Sequence, residues 1–480
     1  MRYCGISENF HNAAIAFVEE DGNISFASES ERYSKRKNDP ILHNTLNSMV
    51  SVNDHISFYE DIKLRNKYSE KIASNLPSNK AALDKARHFK DRVATSYSRF
   101  SFDKSYLHHE SHAAAAFYTR PWSSSEDTVC LTIDGYGEWQ SATIQDSNFN
   151  LLYEETYPKS IGVVYALCTK ALGYKPLEEE YIVMGMSAFS ENILLSEFEE
   201  AVNCFFTDNL SYNDFLVYLH SLNKEELAGT VQKWAEQEIF KLAQKARKYG
   251  SKLCYSGGVA QNIVANSKIR SLFDDMWVAV NSTDGGSALG AAARSYCLET
   301  GMDRINWKNT YLGLENWIDV NPKEVAKYLQ ENKIAGVIHG KAEFGPRALG
   351  NRSLLANPIY DVKDTVNKIK QREKFRPFAP AILEEYAKEY FEGPMNEYMQ
   401  YSSVAKHDYK SVMHVDGTSR VQIVKKDSES IIRPILEEFY SLTKVPMLLN
   451  TSLNVKGMPI CNNFYDGRLF ESKYKTKVFG

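Results

Sequence analysis

Apolar and polar positions along the chain fall into short runs whose period changes from one stretch to the next. The opening reads as two strands about a polar loop: YCGIS, then ENFHN, then AAIAFVEE closed by the turn DGN. The layout recurs from Thr128, where TVCLTI is followed by the small-residue turn DGYGEW and a returning strand, QSATIQD. Two hairpins of one design, each holding a tight polar loop between apolar strands, predict a duplicated α/β core. Across Asn223 to Tyr249 the period becomes helical. Leu227, Val231, Trp234, Ile239 and Leu242 share one face and Gly250 is the stop, so this helix is expected to serve packing.

Asn321 followed by Pro322 predicts a helix start, as cap and first residue, and puts a boundary between Trp307 and Pro322. A chain of 480 residues exceeds the roughly 250–300 residues at which single cores stop growing. Two domains are therefore expected, over residues 1–315 and 319–480. Between the hairpins, Lys63 to Lys104 is polar, helical in pattern and rich in Lys and Arg, with Phe89, Tyr97, Phe100, Phe102 and Tyr106 interleaved. It reads as an insertion over about residues 60–105, its basic residues either a solvated face or the border of a site for an anionic acceptor.

A composition of 43% hydrophobic and 25% charged residues is that of a globular protein, and a net charge of −4 excludes global attraction to polyanions or anionic membranes. Any anion site must be local. The seven cysteines are scattered without a CxxC pair, which argues against a zinc ribbon or a redox dithiol and suits a reducing compartment. With neither a leader-like N-terminus nor a run of about 18 apolar residues, a cytoplasmic location and no membrane partner are expected. Oligomeric state is left open.

In LHHESHAAAAFYT the helix formers place His108 and His112 four residues apart on one face, a spacing that lets two imidazoles close on one metal ion. Local hydrogen bonding is the alternative. Asp134 at the tip of the second hairpin and Asp284 before GGSALGAAA could complete an oxygen and imidazole set for divalent iron, zinc or manganese. A plain turn residue and a plain helix cap are the competing readings. Gly257 and Gly258 end the strand of LCYSGGVAQN and open a helix. With Asn262, and with Gly135 in the second hairpin, they could bring backbone NH groups to a nucleotide, although a tight turn explains paired glycines as well.

From Gly340 the chain reads GKAEFGPRALGNRSLLANP and then KIKQREKFRPFAPAIL. Arg347, Arg352, Lys370, Arg372 and Arg376 are interleaved here with Gly, Pro and aromatic residues. Forked guanidiniums on a rigid backbone suit phosphate or carboxylate recognition, against an ion-pair network with Glu343 and Glu373. The strand VPMLLNTSLN adds Asn450, Thr451, Ser452 and Asn454 at its end.

HHESHAAAAF, SGGVAQN, EFGPRALGNRS, FRPFAPAIL, HVDGTSRVQIV and LLNTSLNVKGMPI together resemble the O-carbamoyltransferase family of nodulation-factor, cephamycin and tobramycin carbamoyltransferases. The resemblance implies an actin-like (ASKHA) duplicated α/β domain followed by an α+β, YrdC-like domain that forms carbamoyl-adenylate. By the same resemblance, Arg347, Arg352, Lys370, Arg372, Arg376 and the Asn450 to Asn454 loop would hold carbamoyl phosphate and ATP with Mg. Metal at His108, His112, Asp134 and Asp284 would organise the nucleotide and the carbamoyl carbonyl, and His11 would deprotonate the acceptor hydroxyl. The acceptor would be a small sugar or antibiotic-like alcohol, or a hydroxymethylated pyrimidine in a nucleotide or DNA. Ile182 stands where the family commonly has lysine, which puts the contacts near that turn in question. An actin-like kinase or ATPase with a regulatory second domain, and a binding protein with a dead site, are the rival readings.

Overall fold

In the computed structural model, which describes residues 1–75 and 99–480, the first hairpin consists of β1 (Tyr3–Ser7) and β2 (Ala14–Val18) and is extended by β3 (Ile24–Glu29). On the other side of β1, β4 (His55–Phe58) and then β5 (Lys104–Ser105) pair in parallel, giving the order β3-β2-β1-β4-β5. The second hairpin repeats this. β6 (Thr128–Gly137), β7 (Gln140–Gln145) and β8 (Leu151–Thr156) are antiparallel, with β9 (Lys252–Ser256) and β10 (Asp275–Val278) parallel on the far side of β6. Equal order and equal sense make the first part a duplicated α/β fold of the actin-like kind. In each half a helix follows the fifth strand: α1 (His108–Phe117) after β5 and, later, the helix Asp284–Thr300 after β10.

Between these lie α2 (Ile161–Ala171), α3 (Glu180–Met186), α4 (Lys224–Arg247) and α5 (Ile263–Ile269), and Asp284–Thr300 is α6. The Asn223 side chain caps α4 by accepting from Glu225 N, and Leu227, Val231, Trp234, Ile239 and Leu242 are all buried along one face. Contacts divide the chain into Met1–Ser34 with Asn38–Lys308 and Lys35–Lys37 with Asn309–Gly480. The second unit thus takes up β11 (Tyr311–Asn316), ahead of the expected start at Asp319, because β11 pairs antiparallel with β13 (Gly340–Glu343).

That unit adds α7 (Pro322–Asn332), capped by Asn321 through Lys323 N at 3.0 Å. β12 (Ile334–Ile338), β14 (Arg352–Ala356), β15 (Ala379–Leu383), β16 (Gln422–Val424), β17 (Met447–Ser452) and β18 (Val478–Phe479) form a mixed sheet of order β16-β15-β17-β14-β12-β18. It is packed by α7 and α8 (Ile432–Thr443) over a core that includes Leu354, Leu355, Ile382, Ile435, Leu448 and Leu449. All seven cysteines are free thiols, and among the described residues no helix is long and apolar enough to cross a membrane. Phe89 and Tyr97 of the expected insertion lie outside the described residues.

Candidate functional site

α1 begins at His108, and the four-residue spacing brings the Nε2 atoms of His108 and His112 to 3.1 Å of each other. Asp134, near the end of β6, places Oδ2 3.6 Å from His108 Nε2 and 3.1 Å from His112 Nε2. Asp284 completes the group from α6, its Oδ1 at 3.6 and 3.3 Å from the same two nitrogens. All four ligand atoms lie within 4.8 Å of one another. For Asp284 a plain helix cap is the alternative to a ligand. It is instead the first residue of α6, with Thr283 in the cap position, and its carboxylate turns to the histidines.

The duplicated fold explains the convergence, since hairpin loops and helix starts of both halves meet here. His11 lies on the first hairpin loop, with Nδ1 2.7 Å from Asn12 Oδ1 and 3.6 Å from Asp284 Oδ2.

The electrostatics favour a cation. Burial works against charge on His108, yet Asp284, Asp134 and Glu60 hold its pKa well above the usual histidine range. Burial likewise opposes ionisation of Asp284, but His11, His108 and His112 bring its pKa down to about 2. Asp134 Oδ2 and Asp284 Oδ2 are buried without a hydrogen-bond partner among the described residues. Two imidazole nitrogens and two carboxylates around one point form a donor set suited to a divalent transition ion.

Around this group lies a shell that no local sequence signal announces. Glu138 accepts from His108 N at 3.1 and 3.2 Å, supplying the cap that Leu107 cannot, and from Asp61 N at 2.9 Å. Burial, reinforced by Glu60, pushes the Glu138 carboxyl up to about 7. Gly137 must lack a side chain, because a Cβ there would lie 2.3 Å from the His108 ring.

The glycines expected at a nucleotide pack against the same hairpin. Gly257 has φ +91°, and a Cβ on it would meet the Ile133 carbonyl oxygen at 2.2 Å; one on Gly258 would sit 3.2 Å from Asp134 Oδ1. Gly135 N donates to Asp134 Oδ1 at 2.6 Å. The Asn262 side chain caps α5 through Ala265 N and exchanges two 3.1 Å hydrogen bonds with Gln232, so its amide serves the fold. Ile182, at the position of the missing lysine, is fully buried in α3.

In the second unit the basic residues separate into two kinds. Arg352 is fully buried. Its five N–H groups donate to the carbonyls of Asn462, His339, Asn351, Leu314 and Gly340 at 2.7–3.0 Å. The expectation that it grips a ligand is therefore corrected: every donor it has is committed to backbone.

The other basic residues gather in one region. Lys370 Nζ binds the Ser452 and Asn454 carbonyls and side chains, and burial, with Arg372 and Arg376 nearby, holds its pKa well below the usual lysine range. Arg372 is set by Asn367 Oδ1 at 2.6 Å and lies 4.0 Å over the Phe378 ring. One Glu343 carboxylate oxygen accepts from Leu349 N, Asn351 N and Arg352 N and so shapes the turn that carries Arg347. Glu373 joins the basic group, bonding Lys456 and lying 3.4 Å from Arg376.

Arg420, within HVDGTSRVQIV, went unremarked as a candidate. Burial, then Arg347, Arg372 and Arg376, hold its pKa well below the usual arginine range, and its buried Nε has no hydrogen-bond partner among the described residues. Asn450 is buried nearby on Gln422 and the Ala348 carbonyl, and Thr451 pairs with Leu354 between β17 and β14. Arg347, Arg372, Arg376 and Arg420 with Lys370 form a basic group suited to a multiply charged anion.

Similarity to known proteins agrees in extent with both units. The model for the carbamoyltransferase N-terminus matches residues 2–293, and that for the carbamoyltransferase C-terminus matches residues 326–477. Nodulation protein NolNO of Sinorhizobium fredii is 29% identical over 95% of this chain and 76% of its own. Nodulation protein U of Rhizobium tropici is 28% identical over 95% and 91%. An uncharacterized protein of Methanocaldococcus jannaschii is 28% identical over 94% and 93%.

Proposed function

The chain belongs to the carbamoyltransferase family, and on that premise we propose that it is an ATP-dependent O-carbamoyltransferase with two reaction centres, one in each unit. One observation carries this reading: a His and Asp cluster fit for a cation stands in the first unit, and a cluster of Arg and Lys fit for phosphates stands in the second. A kinase with a merely regulatory second domain has no use for the second cluster.

In the YrdC-like reading of the second unit, Arg347, Arg372, Arg376, Arg420 and Lys370 bind the phosphates of ATP and carbamoyl phosphate. Loss of phosphate from carbamoyl phosphate, with water, leaves carbamate. A carbamate oxygen attacks the α-phosphorus of ATP, the bond to the β-phosphate oxygen breaks, and carbamoyl-adenylate and pyrophosphate result. Guanidiniums beside the β- and γ-phosphates would favour this step by stabilising the charge that builds on the leaving group.

In the first unit, a divalent ion on His108, His112, Asp134 and Asp284 would supply Lewis-acid polarisation of the carbamoyl carbonyl. His11 acts beside it. The contact from Nδ1 to Asn12 Oδ1 supports a ring proton on Nδ1, which would leave Nε2 to take the proton of the acceptor hydroxyl. The acceptor oxygen bonds to the carbamoyl carbon, AMP leaves, and the product is an O-carbamoyl ester.

The acceptor is a small sugar or antibiotic-type alcohol, or a hydroxymethylpyrimidine in DNA. Two arginines of the basic segments serve the fold instead of a binding face: Arg65 is buried beside Glu60, and Arg99 forms two 2.7 Å contacts with buried Glu8. That favours the small alcohol. The test is incubation with ATP, Mg, carbamoyl phosphate and either a sugar panel or hydroxymethylcytosine DNA, followed by mass spectrometry. Pyrophosphate release that needs carbamoyl phosphate, with a carbamoyl mass gain on one acceptor, is expected. ATP hydrolysis indifferent to carbamoyl phosphate would overturn the reading.

A further inference from the structure

Behind the His108 ring, on the side away from His112, sits a carboxylate that the proposed chemistry does not use. Glu60 follows β4, is fully buried, and neither of its oxygens has a hydrogen-bond partner among the described residues. His108 Nδ1 is also buried and unbonded, 3.8 Å from Glu60 Oε2. That gap is longer than a hydrogen bond, and a ring movement of under about 1 Å closes it. An acceptor and a potential donor, both out of water and facing each other, favour that closure, because each left alone costs about 1–3 kcal/mol.

The surroundings hold the two groups to this alignment. Glu138 binds His108 N and Asp61 N together, so the residue after Glu60 and the first turn of α1 hang on one carboxylate. Glu138 does so from φ +26°, a strained conformation for a residue with a side chain, and such strain persists where the surroundings over-determine it. On the opposite side, the bare Gly137 backbone presses on the ring.

We infer that Glu60 is a positioning residue for His108, accepting the proton of Nδ1 so that Nε2 keeps its lone pair directed at His112, Asp134 and Asp284. Neutral imidazole carries one N–H, and fixing it on one nitrogen commits the other to accept or to ligate. A carboxylate behind a ligating histidine also makes the imidazole more basic, and removing such a partner typically lowers metal affinity by about 10- to 100-fold. The inference rests on the reading of the four-residue cluster as a cation site. Glu60 has one competing duty, as counter-ion to Arg65, whose Nη1 lies 3.8 Å from the same Oε2.

The experiment uses the full chain stripped by a chelator and titrated with Zn²⁺ against a chromophoric chelator. Wild type, Glu60→Gln, Glu60→Asp, Arg65→Met and His112→Ala are compared, and ¹⁵N-histidine spectra of the Zn²⁺-loaded proteins report whether His108 Nδ1 carries a hydrogen-bonded proton. Glu60→Gln is expected to bind Zn²⁺ about 10- to 100-fold more weakly than wild type, with a weakened hydrogen bond at His108 Nδ1–H in the Zn²⁺-loaded protein and little change in Tm. Glu60→Asp should recover part of the affinity, and it carries the test if Glu60→Gln fails to fold. Arg65→Met should keep wild-type affinity. If Glu60→Gln keeps wild-type affinity and the wild-type Nδ1–H signal while losing as much Tm as Arg65→Met, Glu60 is only a counter-ion and the inference falls. If wild type binds Zn²⁺ no better than His112→Ala, the cation reading falls and takes the inference with it.

Discussion

Gly290 on α6 comes so close to Ser111 on α1 that a Cβ at Gly290 would lie 1.9 Å from the Ser111 carbonyl oxygen. The helices that carry Asp284 and the two histidines are therefore seated backbone against backbone, and the spacing of the ligand atoms depends on that seating. Gly290→Ala should force them apart. We expect a loss of about 1–3 kcal/mol in unfolding free energy, with Zn²⁺ affinity falling as well. Urea denaturation and metal titration of the same preparation check both.

His112→Ala removes one of the two imidazoles of the His and Asp cluster in the first unit. Carbamoyl transfer to the acceptor should disappear, while pyrophosphate release that depends on carbamoyl phosphate continues near the wild-type rate. Parallel loss of both activities would show that the two centres are not separate.

Arg347 and Arg352 share one turn, yet their substitutions should differ in kind. Arg347→Ala should slow pyrophosphate release at least about tenfold, the equivalent of a charged hydrogen bond worth about 1.5–3 kcal/mol, and lysine should not restore it. Arg352→Lys offers three donors to five buried carbonyls. Its effect should be on stability, read as a lowered urea midpoint, and not as a selective rise in KM for ATP.

Glu138 supplies a pH dependence whose sign can be worked out. Its carboxyl is raised from 4.5 to about 7, so the folded chain holds the proton more tightly than the unfolded one. The stability this contributes is complete below about pH 4.5 and is lost as pH rises through about 7, by up to about 3 kcal/mol. Glu138→Gln should flatten that slope in chelator-treated protein, as followed by thermal unfolding at several pH values.

What could be read from the sequence follows the range of the interactions involved. The pairing of His108 with His112 is a local property of helix geometry, and the repeated hairpins are a local alternation of apolar and polar residues. Asn321 and Pro322 mark a helix start by their own backbone preferences. Glu60 and Glu138 are another matter, because each matters through a partner distant in sequence, and a buried carboxylate carries no local mark of its burial. Arg352 and Arg347 look alike within GPRALGNRS, since only the folded chain shows which of them meets five carbonyls. Arg420 was legible in principle, lying in a segment already singled out, but one arginine in a turn is usually solvated. Asn262 shows the reverse case: it stands beside paired glycines as a ligand residue would, and Gln232 claims its amide.

Arg352 also bears on how the chain is made. Asn462, whose carbonyl meets the arginine's Nε, leaves the ribosome 110 residues after the arginine itself. At roughly 5–20 residues per second, the guanidinium waits about 5–20 s for that acceptor. Through that interval β14 lacks β17, its neighbour at the centre of the sheet, and the apolar faces of both strands' surroundings remain open. During that interval the apolar strands of the nascent second unit are exposed to aggregation.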